Sequence, residues 1–304
     1  LAHITQSDLQ RIFNAHGLGK IHDFAMPARG SVNLVVIIND QYVVRMDTRP
    51  PNGTSRFLGE KIAYDFLAES GLPVPRVIAL DLSKKLIYYD YIIMTKLPGT
   101  PIIDAWDTLT PQQRHAVSFQ AGEYLAHMHN VTINHFGALK EIGNLRQQSV
   151  YEDVSQFFRR AATQAHHIGQ LSSQAYQEVE NLLTSAKPLL EKIRHGHIVH
   201  SDYQLENLLQ EDGVITGMID FEWVLGGDPT WDFVAEEKWD AQCPGSRKAI
   251  YDGYTSVRRL DADHELRVRL YKALMHIETI AGSNDWREWA KSELEKLLHA
   301  IDSA

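Results

Sequence analysis

Asp202, Asn207 and Asp220 are the residues whose types and spacing could do chemistry together. Asp202 and Asn207 stand five apart in His200-Ser201-Asp202-Tyr203-Gln204-Leu205-Glu206-Asn207, and Asp220 follows thirteen residues later. Apolar pairs flank the first two, Ile198-Val199 before and Leu208-Leu209 after, so they read as one tight loop. Asp220 ends a strand-like run from Gly213 to Ile219. A carboxylate for a hydroxyl proton, then an amide oxygen and a second carboxylate for a hard divalent cation, is the order that metal-assisted phosphoryl transfer uses. Such transfer leaves a protein little covalent work; positioning and charge neutralisation carry it. Alone, each residue reads as a turn residue or a strand end. As an ordered set, Asp202 is the candidate catalytic residue, and Asn207 and Asp220 are the candidate metal ligands.

Other residues could serve the same chemistry. His200 reads as a ring that ties the loop to the metal-binding segment. Arg45 ends a β-branched run and Glu60 lies in the helical segment after it. A cation there could hold nucleotide phosphates while Glu60 fixes its position; a surface Arg and a solvated Glu fit the spacing equally well. In Ala28-Arg29-Gly30-Ser31 the glycine lets backbone amides approach a phosphate and Ser31 adds a hydroxyl, although the composition also fits an ordinary turn.

The elements that must position these residues fall into two groups. Ser7 to Gln10 has a capping-box pattern, so a short helix should run to about Gly17. Ser31–Ile38 and Gln41–Met46 read as a hairpin turned at Asn39-Asp40, and Pro50 to Gly53 as a loop. Residues 57–70 form a helix closed by Gly71, and 74–80 and 86–94 read as two more strands. Beyond Leu97-Pro98-Gly99 the pattern turns helical, at 110–129, 151–167, 174–193 and from Thr230 onward. Trp286, Trp289, Leu294 and Leu297 recur there at core-like spacing. The reading is α+β in two lobes: residues 1–97 a small antiparallel sheet with one inserted helix, and residues 98–304 a larger, mainly helical lobe with the catalytic loop.

Composition narrows the setting. The 304 residues suffice for two lobes with their own cores. A net charge of −9 argues against nucleic acid and anionic membranes as partners and would suit a cationic substrate. No apolar run approaches the ~20 residues that span a bilayer, and no signal-peptide pattern is visible. The single cysteine, Cys243, excludes an internal disulfide and fits a reducing, cytoplasmic setting.

These motifs carry a resemblance. The chain resembles the aminoglycoside phosphotransferase and choline kinase-like group, small-molecule kinases with the protein-kinase fold. His200 through Asn207 is similar to that family's catalytic loop, and Met218-Ile219-Asp220-Phe221 to its metal-binding segment. Gly227-Asp228-Pro229 with Asp232-Phe233, Gly71-Leu72-Pro73-Val74-Pro75 and Leu97-Pro98-Gly99 extend the likeness over most of the chain. The resemblance implies Mg²⁺ with ATP or GTP, and a small-molecule hydroxyl as acceptor. An aminoglycoside or related cationic antibiotic is one such acceptor, which would connect the chain to antibiotic resistance. It further implies that Thr95 and Leu97 offer backbone groups to the purine, with Met94 near the ring, and that Asp228 and Asp232 buttress the loop or cap a helix.

Three positions depart from the pattern. Arg45 stands where Lys is frequent, Ser201 where aminoglycoside-modifying members often have Gly, and Glu222 where protein kinases have Gly after Asp-Phe. Glu236, Glu237 and Asp240 could line a site for amines, or simply form a solvated helix face. Two other readings stand beside the kinase. A non-catalytic nucleotide-binding module would have no need of two metal ligands and a base, and a metal-dependent phosphohydrolase gives no reason for Arg45 and Glu60.

Overall fold

The computed structural model describes residues 4–27, 33–49, 55–143, 149–282 and 285–302. The loops at 28–31 and 50–53 lie outside the described residues. The N-terminal part is a five-stranded antiparallel sheet in the order Phe24–Ala25, Asn33–Ile38, Tyr42–Asp47, Tyr91–Thr95, Val77–Asp81. The hairpin turns where expected. Asn39 and Asp40 take φ of 53° and 51°, and the Gln41 amide donates to Ile38 O at 3.1 Å. Two successive left-handed residues give the type I′ twist that matches paired strands.

Local chemistry moved some boundaries. The first helix is Gln6–Ala15, capped by Thr5 rather than by Ser7. Thr5 is extended, and Asp8 reaches back to its amide at 3.1 Å, which leaves Ser7 inside the first turn. Residues 86–89 bend instead of extending the strand that begins at Tyr91, and Ile87 fills the core above the sheet. The helix expected over 174–193 breaks into Ser173–Ser185 and Lys187–Leu190. Pro188 lies at that break, and its ring and missing N–H prevent a continuous ladder. Trp286 and Trp289 lie on the surface, at 64% and 53% exposure. The buried stripe of the last helix, Arg287–Asp302, runs instead through Ala290 and Leu294, which pack with Leu274 and Ile277 of the helix His264–Gly282.

The helix Arg56–Glu69 joins sheet to helical region. It buries Phe57, Glu60, Ala63, Tyr64 and Leu67. Its apolar residues share one core with Ile102, Leu125, Ile198, Leu208 and Phe221. No helix among the described residues is long and apolar enough to cross a membrane.

Short strand pairs pin the candidate site loops at both ends. Gly196–Val199 enters the candidate catalytic loop and Leu208–Glu211 leaves it; Val214–Met218 enters the candidate metal-binding segment and Leu225–Gly227 leaves it. Val199 pairs with Leu225 at one end and Leu208 with Met218 at the other. The two loops are therefore held side by side. Beneath them, helices Pro111–Asn130 and Ser246–Val257 approach through facing glycines. A Cβ on Gly122 would lie 1.9 Å from Ile250 O, and one on Gly253 equally close to Phe119 O.

That contact has no room for a methyl group. Gly122→Ala should destabilise the fold by about 3 kcal/mol, the upper end for overpacking. Urea denaturation measures it; a loss below about 1 kcal/mol would show that the helices separate easily.

Candidate active site

One buried carboxylate shapes the catalytic loop. Asp232, in the 3-10 turn Pro229–Phe233, accepts the His200 amide on Oδ2 at 2.9 Å and the Ser201 amide on Oδ1 at 2.7 Å. Its Oδ2 also meets His129 Nε2 at 3.0 Å. Presenting two successive amides to one carboxylate goes with a left-handed residue, and Ser201 has φ of 67°. The Ser201 hydroxyl is buried without a partner among the described residues. Glycine takes this conformation without the cost that a Cβ brings.

His200 ties the two loops, as expected from the sequence. Its Nε2 donates to Ile219 O at 3.0 Å, its Nδ1 accepts the Asp202 amide at 3.3 Å, and its ring packs on Phe221 at 4.2 Å. Behind the loop, the Tyr203 hydroxyl donates to Ala121 O at 2.7 Å and Trp239 Nε1 donates to Tyr203 O at 2.8 Å. These bonds anchor the loop to helices Pro111–Asn130 and Glu236–Gln242.

Asp202, Asn207 and Asp220 are brought together. Asn207 Nδ2 donates to Asp202 O at 2.9 Å and lies 3.4 Å from Asp202 Oδ2. The amide nitrogen is thus committed to Asp202, which leaves Oδ1 for a cation. The Ile219 amide donates to Asn207 O at 3.0 Å, placing Asp220 next to it. Asp220, also left-handed with φ of 66°, keeps 40% of its side chain exposed. Burial raises the Asp202 carboxyl above its ordinary range; His200 opposes this, Asp220 adds to it, and Lys238 opposes it.

Arg45 and Glu60 meet at this same point. Arg45 Nη1 donates to Glu60 Oε1 at 2.5 Å and Nη2 to Asp220 Oδ1 at 2.7 Å. Burial works against the guanidinium charge, but Glu60, Asp220 and Glu222 outweigh it and hold the group charged. Burial pushes the Glu60 carboxyl up to about 7, although Arg45 pulls it down. Two partners were missed in the sequence. Tyr64 donates to Glu60 at 2.8 Å, and the i,i+4 spacing of Glu60 and Tyr64 on a helix was the available signal. Glu222 is buried among cations: Asn33 donates to it at 2.7 Å, and Arg45, Arg56 and Arg49 lie 3.5, 3.6 and 3.7 Å away. Nothing in the linear spacing links Asn33 and Arg49 to Glu222.

The remaining predicted residues lie along the strand Tyr91–Thr95 and after it. Met94 is buried in the core. The Thr95 amide is engaged with Arg76 O at 3.0 Å and the Lys96 amide with Gln41 O at 2.8 Å. The Leu97 amide has no backbone partner among the described residues. Ser31 lies outside them. The acidic helix after the metal segment is paired internally. Glu236 takes Tyr251 and Lys272, Glu237 takes Lys272 at 2.8 Å, and Asp240 accepts the Arg247 amide at 3.0 Å.

A two-lobed phosphotransferase architecture is what this sheet, linker and loop pair define. Residues 25–266 match the model of the phosphotransferase enzyme family, and the chain belongs to that family. Among solved structures, a protein from Thermobifida fusca assigned to fructosamine-3-kinase superposes with a TM-score of 0.73 at 20% identity, covering 99% of this chain and all of that one. The gentamicin complex of APH(2'')-IIa gives a TM-score of 0.71 at 16% identity, covering 97% of each chain. ADP-bound aminoglycoside phosphotransferase APH(2'')-Ib gives 0.68 at 19% identity, covering 96% of this chain and 97% of that one. A curated relative, acyl-CoA dehydrogenase family member 10 of Mus musculus, is 24% identical over 208 residues, which are 64% of this chain. The chain spans only 19% of that relative's length.

The strain at Ser201 is open to measurement. Ser201→Gly should stabilise the fold by about 1 kcal/mol, by removing a left-handed Cβ and an unpartnered hydroxyl at the cost of some unfolded-chain entropy. An unchanged or lower denaturation midpoint would mean that the Ser201 conformation costs nothing.

Proposed function

We propose that the chain transfers the γ-phosphoryl group of ATP or GTP to a hydroxyl of a small molecule, with residues 1–97 gripping the nucleotide and residues 98–304 supplying the chemistry. The convergence of Asp202, Asn207, Asp220, Arg45 and Glu60 carries this reading, since each matches one need of the transfer. Asp202 is assigned to the acceptor: its carboxylate orients the hydroxyl and takes its proton as the new O–P bond forms. Asn207 Oδ1 and the exposed carboxylate of Asp220 fit a hard cation, and would hold Mg²⁺. When bound, that ion would neutralise phosphate charge. Arg45, fixed by Glu60 at one end of its fork, turns the other end from Asp220 to nucleotide phosphates. The Leu97 amide is assigned to the purine, with Thr95 and Met94 forming the strand that presents it.

The acceptor is assigned from charge. The aminoglycoside reading draws on similar folds, one of them solved with gentamicin. On this chain, Glu236, Glu237 and Asp240, which could have received amines, are already paired. Lys238 has no carboxylate partner among the described residues, and its charge is felt at Asp202. We therefore assign a neutral or anionic acceptor in place of a polyamine. A coupled assay of ADP or GDP release over aminoglycosides, sugars and hydroxy acids tests it; turnover confined to the aminoglycosides would overturn the assignment.

Asp202→Asn should lower transfer by about 10²–10⁴-fold while leaving nucleotide affinity near the parent value. A loss under tenfold would remove Asp202 from the base role. Nucleotide binding without Mg²⁺ dependence or turnover in the parent chain would favour the non-catalytic module.

The pH dependence follows from two raised carboxyls. Both act as carboxylates, so activity is present above each pKa and is lost as pH falls through it. Glu60 titrates at about 7, and its protonation loosens Arg45. Asp202 lies above its ordinary value of 3.8. In the parent, kcat/KM should fall from about pH 7 downward. Glu60→Gln keeps an acceptor for Arg45 but not the charge. It should lower kcat/KM by about tenfold or more at neutral pH and abolish the step near pH 7. Retention of that step in the variant would assign it to another group.

A further inference from the structure

A polar cavity is lined in part by the start of the Pro229–Phe233 turn that carries Asp232. It has a volume of about 280 Å³ and is walled by residues 192–195, 197, 228–230, 258–261, 264 and 267, together with Tyr254. In a chain of net charge −9, this cavity is cationic. Lys192, Arg194, Arg258, Arg259 and Arg267 line it against two carboxylates, Asp228 and Asp261.

Both carboxylates are already taken. Arg267 Nε lies 2.7 Å from Asp228 Oδ2, and Arg267 Nη1 and Nη2 donate to Asp261 at 3.0 and 2.8 Å. Lys192 pairs with Asp263, outside the lining. Arg258 Nη1 donates only to neutral oxygens, His129 O and Asn130 Oδ1, each at 2.9 Å. Arg194 and Arg259 have no carboxylate partner among the described residues. Arg267 alone thus answers two carboxylates, and Arg258 with the exposed Arg194 and Arg259 leaves the lining with an excess of positive charge.

His264 is buried in the same wall. It is 3% exposed, and its Nε2 has no hydrogen-bond partner. Its Nδ1 lies 3.4 Å from the Thr230 hydroxyl, which itself accepts from Arg267 Nη2 at 3.0 Å. The Thr230 hydroxyl can donate to Nδ1 or accept from it, so this contact suits either tautomer of the ring. Burial lowers the His264 pKa, which favours the neutral ring. That cationic excess calls for an oxyanion, and the small volume excludes a whole nucleotide.

The cavity wall is continuous with the parts that hold the catalytic loop. Asp228, Pro229 and Thr230 line it, and Asp232 follows in the same turn. Arg258 bonds the backbone of His129, whose ring meets Asp232. We propose that this cavity binds a phosphate group, free or on a small metabolite, and that its occupancy stiffens the Asp232 turn and with it the catalytic loop. The binding does not rest on the kinase reading, because it is read without turnover.

Melting of the full chain against inorganic phosphate, with ionic strength held constant by chloride, tests the site. The parent should show a saturable rise in Tm. In Arg194→Glu/Arg259→Glu the half-saturating concentration should rise by at least about tenfold. Arg194→Ala/Arg259→Ala gives the milder check if charge reversal disturbs folding. Glycerol phosphate in place of phosphate separates the sources: tighter saturation assigns a phosphomonoester, weaker saturation the free ion. An equal rise in the variants, or a rise erased by saturating nucleotide, would place the phosphate elsewhere and overturn the site. Amide hydrogen exchange at residues 200–207 should slow with phosphate in the parent only. Unchanged exchange despite saturable binding would overturn the coupling.

Discussion

The Arg45 guanidinium is the interaction on which the candidate active site depends. It leaves the third strand of the sheet, meets Glu60 of the helix Arg56–Glu69 with one nitrogen, and meets Asp220 with the other. Strand, helix and metal-binding segment thus share one buried charge. Such a pair adds little net stability, because desolvation offsets much of the attraction. Its value lies in specificity. Removing one partner strands an uncompensated buried charge, a loss of about 3–5 kcal/mol, so the three elements hold a single relative placement.

Arginine suits this position for a geometric reason. A lysine ammonium is a point charge, whereas the guanidinium fork bonds in two directions at once. Glu60 takes one direction, and the other opens toward Asp220 and Glu222. Arg45 and Glu222, two departures seen separately in the sequence, therefore meet in space. Glu222 also balances Arg49 and Arg56, and Arg56 lies 3.1 Å from the Trp223 ring centre. The residue after Asp220-Phe221 is thereby held to the N-terminal part of the chain, where a glycine would make none of these contacts.

The sequence was most legible where chemistry is local. The hairpin at Asn39-Asp40 and the 56–69 helix follow from turn geometry and periodicity, and the structure has them. Asp202, Asn207 and Asp220 come together because strand pairs of a few residues bracket both loops. Competition between similar local signals was harder to read. Thr5 and Ser7 are both capping residues, and only the placement of Asp8 decides between them. The phase of the last helix is set by its partner helix, so Trp286 and Trp289 could not be placed from spacing. Contacts over long sequence distances were invisible: Asn33 with Glu222, and Arg258 with His129.

Asp232 shows why those long-range contacts matter. Its two oxygens are filled by the His200 and Ser201 amides and by His129, so it has little freedom to shift alone. His129 is bonded in turn to Tyr254, and Tyr254 lies on the helix that meets Gly122. Burial lowers the His129 pKa, although Asp232 opposes this. The node therefore rests on oriented hydrogen bonds, and these depend on angle as well as distance. A small rotation of the Pro229–Phe233 turn would misalign two loop amides together. The left-handed Ser201 would then lose the contacts that hold its strained backbone, and Asp202, the next residue, would move with it.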